Sequence, residues 1–369
     1  MEIVKPKRNI EIDIVKGLAI ILMVAGHASV QVNFIYLFHM AVFFMAAGYF
    51  YKDSASDTIQ SVWNYTLKKF KGLWLPYALW TAIFSLLRNF FININVYTNN
   101  PLVLEDVDNG FAFVTEYWTW KDILINIIKG CILPGNVQMG GALWFLATLL
   151  QVSIGYCVID FVLKRFLNQR YILFAQGVVS ILLLGIGYFL CIMNVYIFEI
   201  ESFFSCYCLF YIGMLLHKTA NKFVLTKTRS VVFIFVSCFV MLCYLNTRTS
   251  ISLGANQYDS PFILLMASLV GWFFLYEAAV LIKKSTLLAK IMVYIGQNTL
   301  PIVVLHFLAF KLVSLAAVLV TGKELYCIAA FPVLYTDAIW SVLYIIIGVA
   351  VPLGLNELWQ RMGKNYGKN

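Results

Sequence analysis

Long apolar runs, each closed by a short polar or basic stretch, organise this chain from end to end. Runs near 12–30, 34–51, 73–92, 142–163, 171–192, 195–216, 230–246, 261–282, 299–320 and 335–355 predict about ten helices. Each approaches the roughly 20 residues that an α-helix needs to cross a bilayer core. Backbone groups in hydrocarbon must bond internally, so a span is a helix or part of a closed barrel. Continuous runs, rather than short alternating segments, exclude the barrel. The pattern predicts an all-α polytopic integral membrane protein. A single transmembrane domain fills 1–369, with its core over about 9–355 and a short tail at 356–369. No internal repeat, low-complexity tract or appended soluble domain is legible.

Charge orients these spans. Of the 27 Lys and Arg residues, 21 fall on the side that holds the N-terminus and only Lys121, Lys129, Arg248 and Lys323 on the other; Arg88 and Lys311 lie within spans. The positive-inside rule then puts both termini in the cytoplasm and the protein in the cell (inner, cytoplasmic) membrane. Adding or dropping one span would carry the basic clusters at 218–229, 283–290 and 361–368 to the wrong side. The net charge of +9 is spread over separate loops, which gives nucleic-acid binding no support.

Composition fits this picture, at 62% hydrophobic and 12% charged; lipid must serve as solvent for much of that surface. Lys5, Lys7 and Arg8 before an apolar stretch, with Gly26-His27-Ala28, resemble a cleaved leader, but Asp13 and Lys16 interrupt it, so the first segment is read as a retained helix. Apolar Ile59, Val62, Trp63, Leu67 and Phe70 suit one side of a helix lying on the inner leaflet, with Lys68, Lys69 and Lys71 at its end. The outer stretch 93–141 carries acidic and aromatic residues. It reads either as an interfacial loop with aromatic anchors or as a lid over an outward-facing acceptor site. Most of the eight cysteines lie in apolar runs, without CxxC or zinc spacing; no metal is expected. Cys131 and Cys327 fall in proposed outer loops, where nothing in the spacing supports a disulfide between them.

Ionisable residues inside spans are costly and mark candidate chemistry. Lys16 and His27 are eleven residues apart, three turns plus about 20°, so they share one stripe of the first helix roughly 16 Å apart. Asp13 stands one turn before Lys16 and can pair with it. Alone, Lys16 reads equally as a snorkelling interfacial lysine, and His27 as a buried histidine bonded to a backbone carbonyl. His39 falls at a similar depth in span two and is read as a partner that would orient a base, or as a packing residue. His306, about eight residues from the inner end of span nine, is expected at a different depth from His27, so a direct partnership is not expected; it would line a substrate path or hold a neighbouring helix. His217 reads as a solvated cap. Glu199 and Glu201 in span six and Arg88 near the outer end of span three read as interfacial charge or as a polar acceptor lining.

These residues resemble the acyltransferase-3 family of multi-span acyltransferases, in particular its sugar O-acetylase branch, such as fucose 4-O-acetylase-like proteins. Ile12-Asp13-Ile14-Val15-Lys16-Gly17 through Gly26-His27 resembles the opening motif: a basic residue, ten others, then histidine. Phe38-His39-Met40-Ala41-Val42-Phe43-Phe44 through Gly48-Tyr49 resembles the second-helix motif. Lys68-Lys69-Phe70-Lys71 with Leu75-Pro76-Tyr77, then Leu143-Trp144-Phe145-Leu146 and Leu305-His306, resemble later landmarks. The resemblance implies that an acyl group, usually acetyl, passes from cytoplasmic acetyl-CoA to a hydroxyl of an extracytoplasmic or lipid-linked glycan. It implies His27 as the catalytic histidine and Lys16 as its basic partner. Two departures stand out: lysine replaces the more usual arginine, losing the planar fork, and Met40-Ala41 replaces Met-Pro. Imidazole suits the implied chemistry as base or acyl acceptor, and Lys68, Lys69 and Lys71 offer point charges to phosphate or to anionic lipid.

Three other readings remain open from sequence. Membrane-bound O-acyltransferases use a late intramembrane histidine, for which His306 is the candidate. A transporter or flippase of glycan precursors would use the same spans without catalysis, but no inverted repeat is visible. A polymer-export scaffold is the third. GxSxG, GxxxxGK[ST] and HExxH are all missing.

Overall fold

The computed structural model describes residues 9–107, 111–132, 137–196, 200–219 and 228–366, with side chains as far as Met362. In chain order its helices are α1 (Ile10–His27), α2 (Val32–Tyr36), α3 (His39–Tyr49), α4 (Ile59–Lys69), α5 (Leu75–Leu86), α6 (Arg88–Asn93), α7 (Val103–Asp106), α8 (Trp120–Ile132), α9 (Trp144–Phe166) and α10 (Gln169–Ile192). Then come α11 (Glu201–Thr219), α12 (Thr228–Asn246), α13 (Pro261–Ile282), α14 (Thr286–Gln297), α15 (Thr299–Thr321) and α16 (Ala338–Tyr366). Two two-residue strands, Ile251–Ser252 and Gln257–Tyr258, pair antiparallel between α12 and α13. The chain is all-α and multi-spanning.

Among the described residues, seven segments are long and apolar enough to cross a bilayer: 32–49, α9, α10, α12, α13, α15 and 338–362. The other expected spans are compromised locally. Helix α1 carries Glu11, Asp13 and Lys16 in its first two turns, α5 breaks from α6 at Leu87, and α11 begins at Glu201 and ends in His217 and Lys218.

Ion pairs gather many helix ends on one basic face. Lys283 beyond α13 pairs with Glu11 at the start of α1 at 2.5 Å, and Lys218 at the end of α11 pairs with Asp53 after α3 at 2.9 Å. Lys164 near the end of α9 reaches Asp57 and Asp160 at 2.8 and 3.5 Å. Buried Asp160 also accepts from Ser56, Tyr51 and Gln176 at 2.5, 3.2 and 3.2 Å. Clusters that alternate along the sequence thus meet on one side.

Helix α1 packs inside the bundle against α3, α13, α14, α15 and α16. Its neighbour α14 lies in a stretch expected to be a cytoplasmic loop. Instead this amphipathic helix packs directly against α1, where Gly17 and Gly296 let backbones touch: a Cβ on Gly296 would stand 1.8 Å from the Asp13 carbonyl oxygen. Gln297 donates to Asp13 Oδ2 at 3.0 Å, so α15 starts level with Asp13, already inside the bundle.

The stretch 93–141 is likewise more than a loop. Within α6, Asn89 is tied to the backbone of Trp118, and α8 then runs back down α5, where Tyr77 donates to the Gly130 carbonyl and Trp74 to that of Cys131 at 3.2 Å. Cys131 and Cys327 are not joined by a disulfide.

Candidate active site

Two histidines, His27 and His39, line one pocket at the end of α1 opposite the basic face, and a third, His306, stands behind His27. His27 closes α1, His39 opens α3 after the two-part turn through α2, and His306 sits two turns into α15. His27 Nδ1 lies 2.8 Å from His306 Nε2, with the rings nearly parallel at 11°. This contact corrects the expectation that depth would keep them apart. That expectation counted the start of α15 from the membrane surface, whereas its first residue, Thr299, shares a cavity wall with Lys16, two turns inside α1. The partner of His27 is therefore His306 and not His39.

The protons follow from the hydrogen bonds. His306 Nδ1 lies 2.8 and 3.1 Å from the carbonyl oxygens of Ile302 and Val303. Carbonyls only accept, so Nδ1 carries the proton and Nε2 of the neutral ring is bare. His27 Nδ1–H must then donate to it, leaving His27 Nε2 as a free lone pair. His39 obeys the same logic: its Nδ1 donates to the Ile35 carbonyl at 2.9 Å, so its Nε2 is bare too. Phe307 covers the pair, its centroid 4.8 Å from His27 and 4.1 Å from His306, and Tyr36 stands edge-on to His27.

The pocket, about 90 Å³, is lined by His27, His39, Tyr36, Met40, Trp144 and the segment 251–254, among others. Gly254 lies against the Trp144 indole: a Cβ there would stand 3.0 Å from it. The hairpin is bolted in place. Asn256 donates to the Gly187 carbonyl and accepts from Ser205, at 2.9 and 2.8 Å; Ser202 reaches the Leu253 carbonyl and Asn33 that of Thr249, at 2.8 and 3.1 Å. Past Tyr36, Ile251 and Ser252 the pocket continues into a polar groove of about 570 Å³ that includes Asn194, Gln257 and Asp259. Sequence reasoning missed this hairpin. Its signal was the Gly254-Ala255-Asn256 turn between alternating Ile251, Leu253 and Tyr258.

Lys16 belongs to a second cavity, of about 200 Å³, with Ala46, Ala47, Phe50, Gly72 and Thr299 on its walls. Its ammonium pairs with Asp13 at 2.9 Å. One turn of π-helix at Phe70–Trp74 brings Gly72 and Leu73 to the rim; Lys68 and Lys69 precede that turn and Lys71 lies within it, and none of the three lines the cavity. The shared stripe does not open into one continuous cavity. Lys16 and His27 face two cavities, which share Phe43, Phe145 and Val303 as common wall.

Other candidates lie apart. Arg88 stacks on Trp118, 3.9 Å from its ring centroid, and donates to the Glu116 carbonyl at 3.3 Å, so it secures the segment after α6. Glu201 is buried in the first turn of α11 and lines neither cavity. Glu199 lies outside the described residues. His217 packs edge-on against Tyr49 at the basic end of α11. No metal-binding group of His, Cys, Asp or Glu occurs among the described residues.

In comparison with known proteins, a family model described as an acyltransferase domain, the acyltransferase-3 model, matches residues 9–357. No curated protein and no solved structure matches the chain.

Proposed function

Since this chain belongs to the acyltransferase-3 family, whose model spans nearly all of it, we propose that it transfers an acetyl group from cytoplasmic acetyl-CoA to a hydroxyl of an extracytoplasmic or lipid-linked glycan. The observation that carries this reading is His27, backed by His306 and lining a pocket that shares a wall with the Lys16 cavity. The basic face is the cytoplasmic one, as the charge bias implies. The pantetheine arm enters beside Lys16 and Gly72, while the nucleotide phosphates stay among Lys68, Lys69 and Lys71. The acceptor approaches through the groove beside the hairpin, where amide side chains, Asp259 and tyrosine rings suit a hydroxyl-rich ligand.

His27 Nε2 takes the hydroxyl proton as the oxygen attacks the thioester carbonyl. The C–S bond breaks, and the proton passes to the departing thiolate. The same lone pair serves if the acetyl group stops first on the imidazole. His306 holds the tautomer and shares the positive charge that develops. In proteoliposomes supplied with acetyl-CoA labelled in its acetyl group and glycan extracted from the native membrane, label should enter alkali-labile esters on the glycan. Free CoA formed with no ester on any glycan would sink the assignment.

The lysine cluster adds a pH dependence. Burial, with Lys68 beside it, lowers the Lys69 ammonium to about 8. A lowered cation is charged below that value and neutral above it, so the KM for acetyl-CoA should climb as pH rises from 7 to 9. Lys69→Arg, which stays charged, should flatten the climb. A KM profile identical in both proteins would remove Lys69 from phosphate binding.

A further inference from the structure

The geometry points to Phe43, Phe145 and Val303 as an acyl-size filter between the two cavities, an inference that rests on the acyl-transfer reading above. The three residues come from α3, α9 and α15, and each is more than nine-tenths buried. Phe145 is held between two other rings, 5.4 Å from Phe43 in a tilted contact and 5.3 Å from Phe44 edge-on. They are the only residues common to the linings of the Lys16 and His27 cavities. Val303 is also tied to the chemistry, because its carbonyl is one of the two that fix the His306 proton.

A thioester entering from the lysine side must place its carbonyl within about 3 Å of the attacking atom. That carbonyl, and whatever alkyl chain it carries, therefore has to lie at or beyond these rings. Beyond them the space is about 90 Å³, enough for a few water-sized groups. It must hold the acceptor hydroxyl as well as the acyl carbons. A one-carbon tail fits without displacing the partition. Each further methylene must press on Phe43, Phe145 or Val303 or intrude on the side that opens to the acceptor groove, and one methylene against an apolar wall is worth about 10- to 200-fold in kcat/KM. Rigid aromatic walls set the ceiling, because dense packing gives way in steps rather than continuously.

The test uses membrane vesicles from cells expressing the full chain, which carry their own acceptors. They are given acetyl-, propionyl- or butyryl-CoA, and acyl esters on the glycans are counted by mass spectrometry. The wild type should transfer acetyl far better than butyryl. Val303→Ala and Phe145→Leu, compared at equal membrane levels, should raise the butyryl-to-acetyl ratio by about tenfold or more, whatever their acetyl rate. Two variants on different helices keep the test alive if one fails to fold. Robust acetyl transfer with an unchanged ratio in both would overturn the filter and leave acyl transfer standing, as would a wild type that uses butyryl-CoA equally well. Wild-type vesicles that transfer no acyl group from any donor would overturn both.

Discussion

Replacing His27 with alanine should abolish acyl transfer while leaving the protein in the membrane at its normal level. The pocket holds two bare imidazole nitrogens, but only His27 has a second imidazole behind it to take up charge. Base or nucleophile removal costs about 10²–10⁴-fold when nothing can substitute, and the intact donor cavity would not compensate. His306→Ala should cost about 10²-fold or more in kcat with little change in KM. It removes the acceptor that fixes His27 Nδ1–H, so the wrong tautomer becomes available. His306→Gln should recover part of that loss, since its amide oxygen can accept from His27. The double variant should be scarcely worse than His27→Ala alone, because residues acting as a unit are not additive. Kinetics of CoA release with ester formation, at matched protein, decide this. Full activity in His306→Ala would remove the pair from the mechanism, and full activity in His27→Ala would remove the site.

Much of this site was legible in the chain, for physical reasons that differ between residues. Lys16, Asp13 and His27 lie on one continuous helix, where a fixed rise and rotation per residue translate spacing directly into direction; the Lys16–Asp13 pair follows. The His27–His306 contact was not legible, because it depends on where α15 starts in depth. That is set by α14, a helix whose Lys290, with Lys283 and Lys284 just before it, made the stretch look like a loop. The two glycines that admit α14 to the side of α1, Gly17 and Gly296, were its real signal. Asp160 was missed for a similar reason: its partners Tyr51 and Ser56 come from the α3–α4 connection and Gln176 from α10. Aromatic Trp144 and the hairpin beside it meet only once the fold has formed, as the contact with Gly254 shows. Helix periodicity reports direction around one axis, and says nothing of which axes will be neighbours.

Gly48→Ala should be among the most destabilising single-methyl additions in the chain, and the argument is purely one of backbone approach. Helices α3 and α11 cross at two glycines that face each other's main chain. A Cβ on Gly48 would stand 1.9 Å from the Phe210 carbonyl oxygen, and one on Gly213 would stand 1.9 Å from that of Met45. Ordinary contact needs 3.4 Å or more, so neither methyl fits unless a helix moves bodily. Close small-residue crossings are the main means by which membrane helices associate, since lipid gives apolar side chains no reason to leave it. Overpacking usually costs about 1–3 kcal/mol where side chains can adjust; here the obstacle is backbone on both sides, and the cost should reach or exceed the top of that range. Pushing α3 outward would also carry His39 and Phe43 away from the pocket, so residual folded protein should lose activity. Gly185→Ala on α10 is the control: nothing lies within 4 Å of its Cβ, and removing a helical glycine should be neutral or stabilising by about 0.5–1 kcal/mol. Thermal melts of the two variants in the same detergent should therefore shift in opposite directions or by very different amounts. A Gly48→Ala melt that overlays the wild type would mean that α3 and α11 do not cross at these glycines, and with that the placement of His39 and Phe43 would fall.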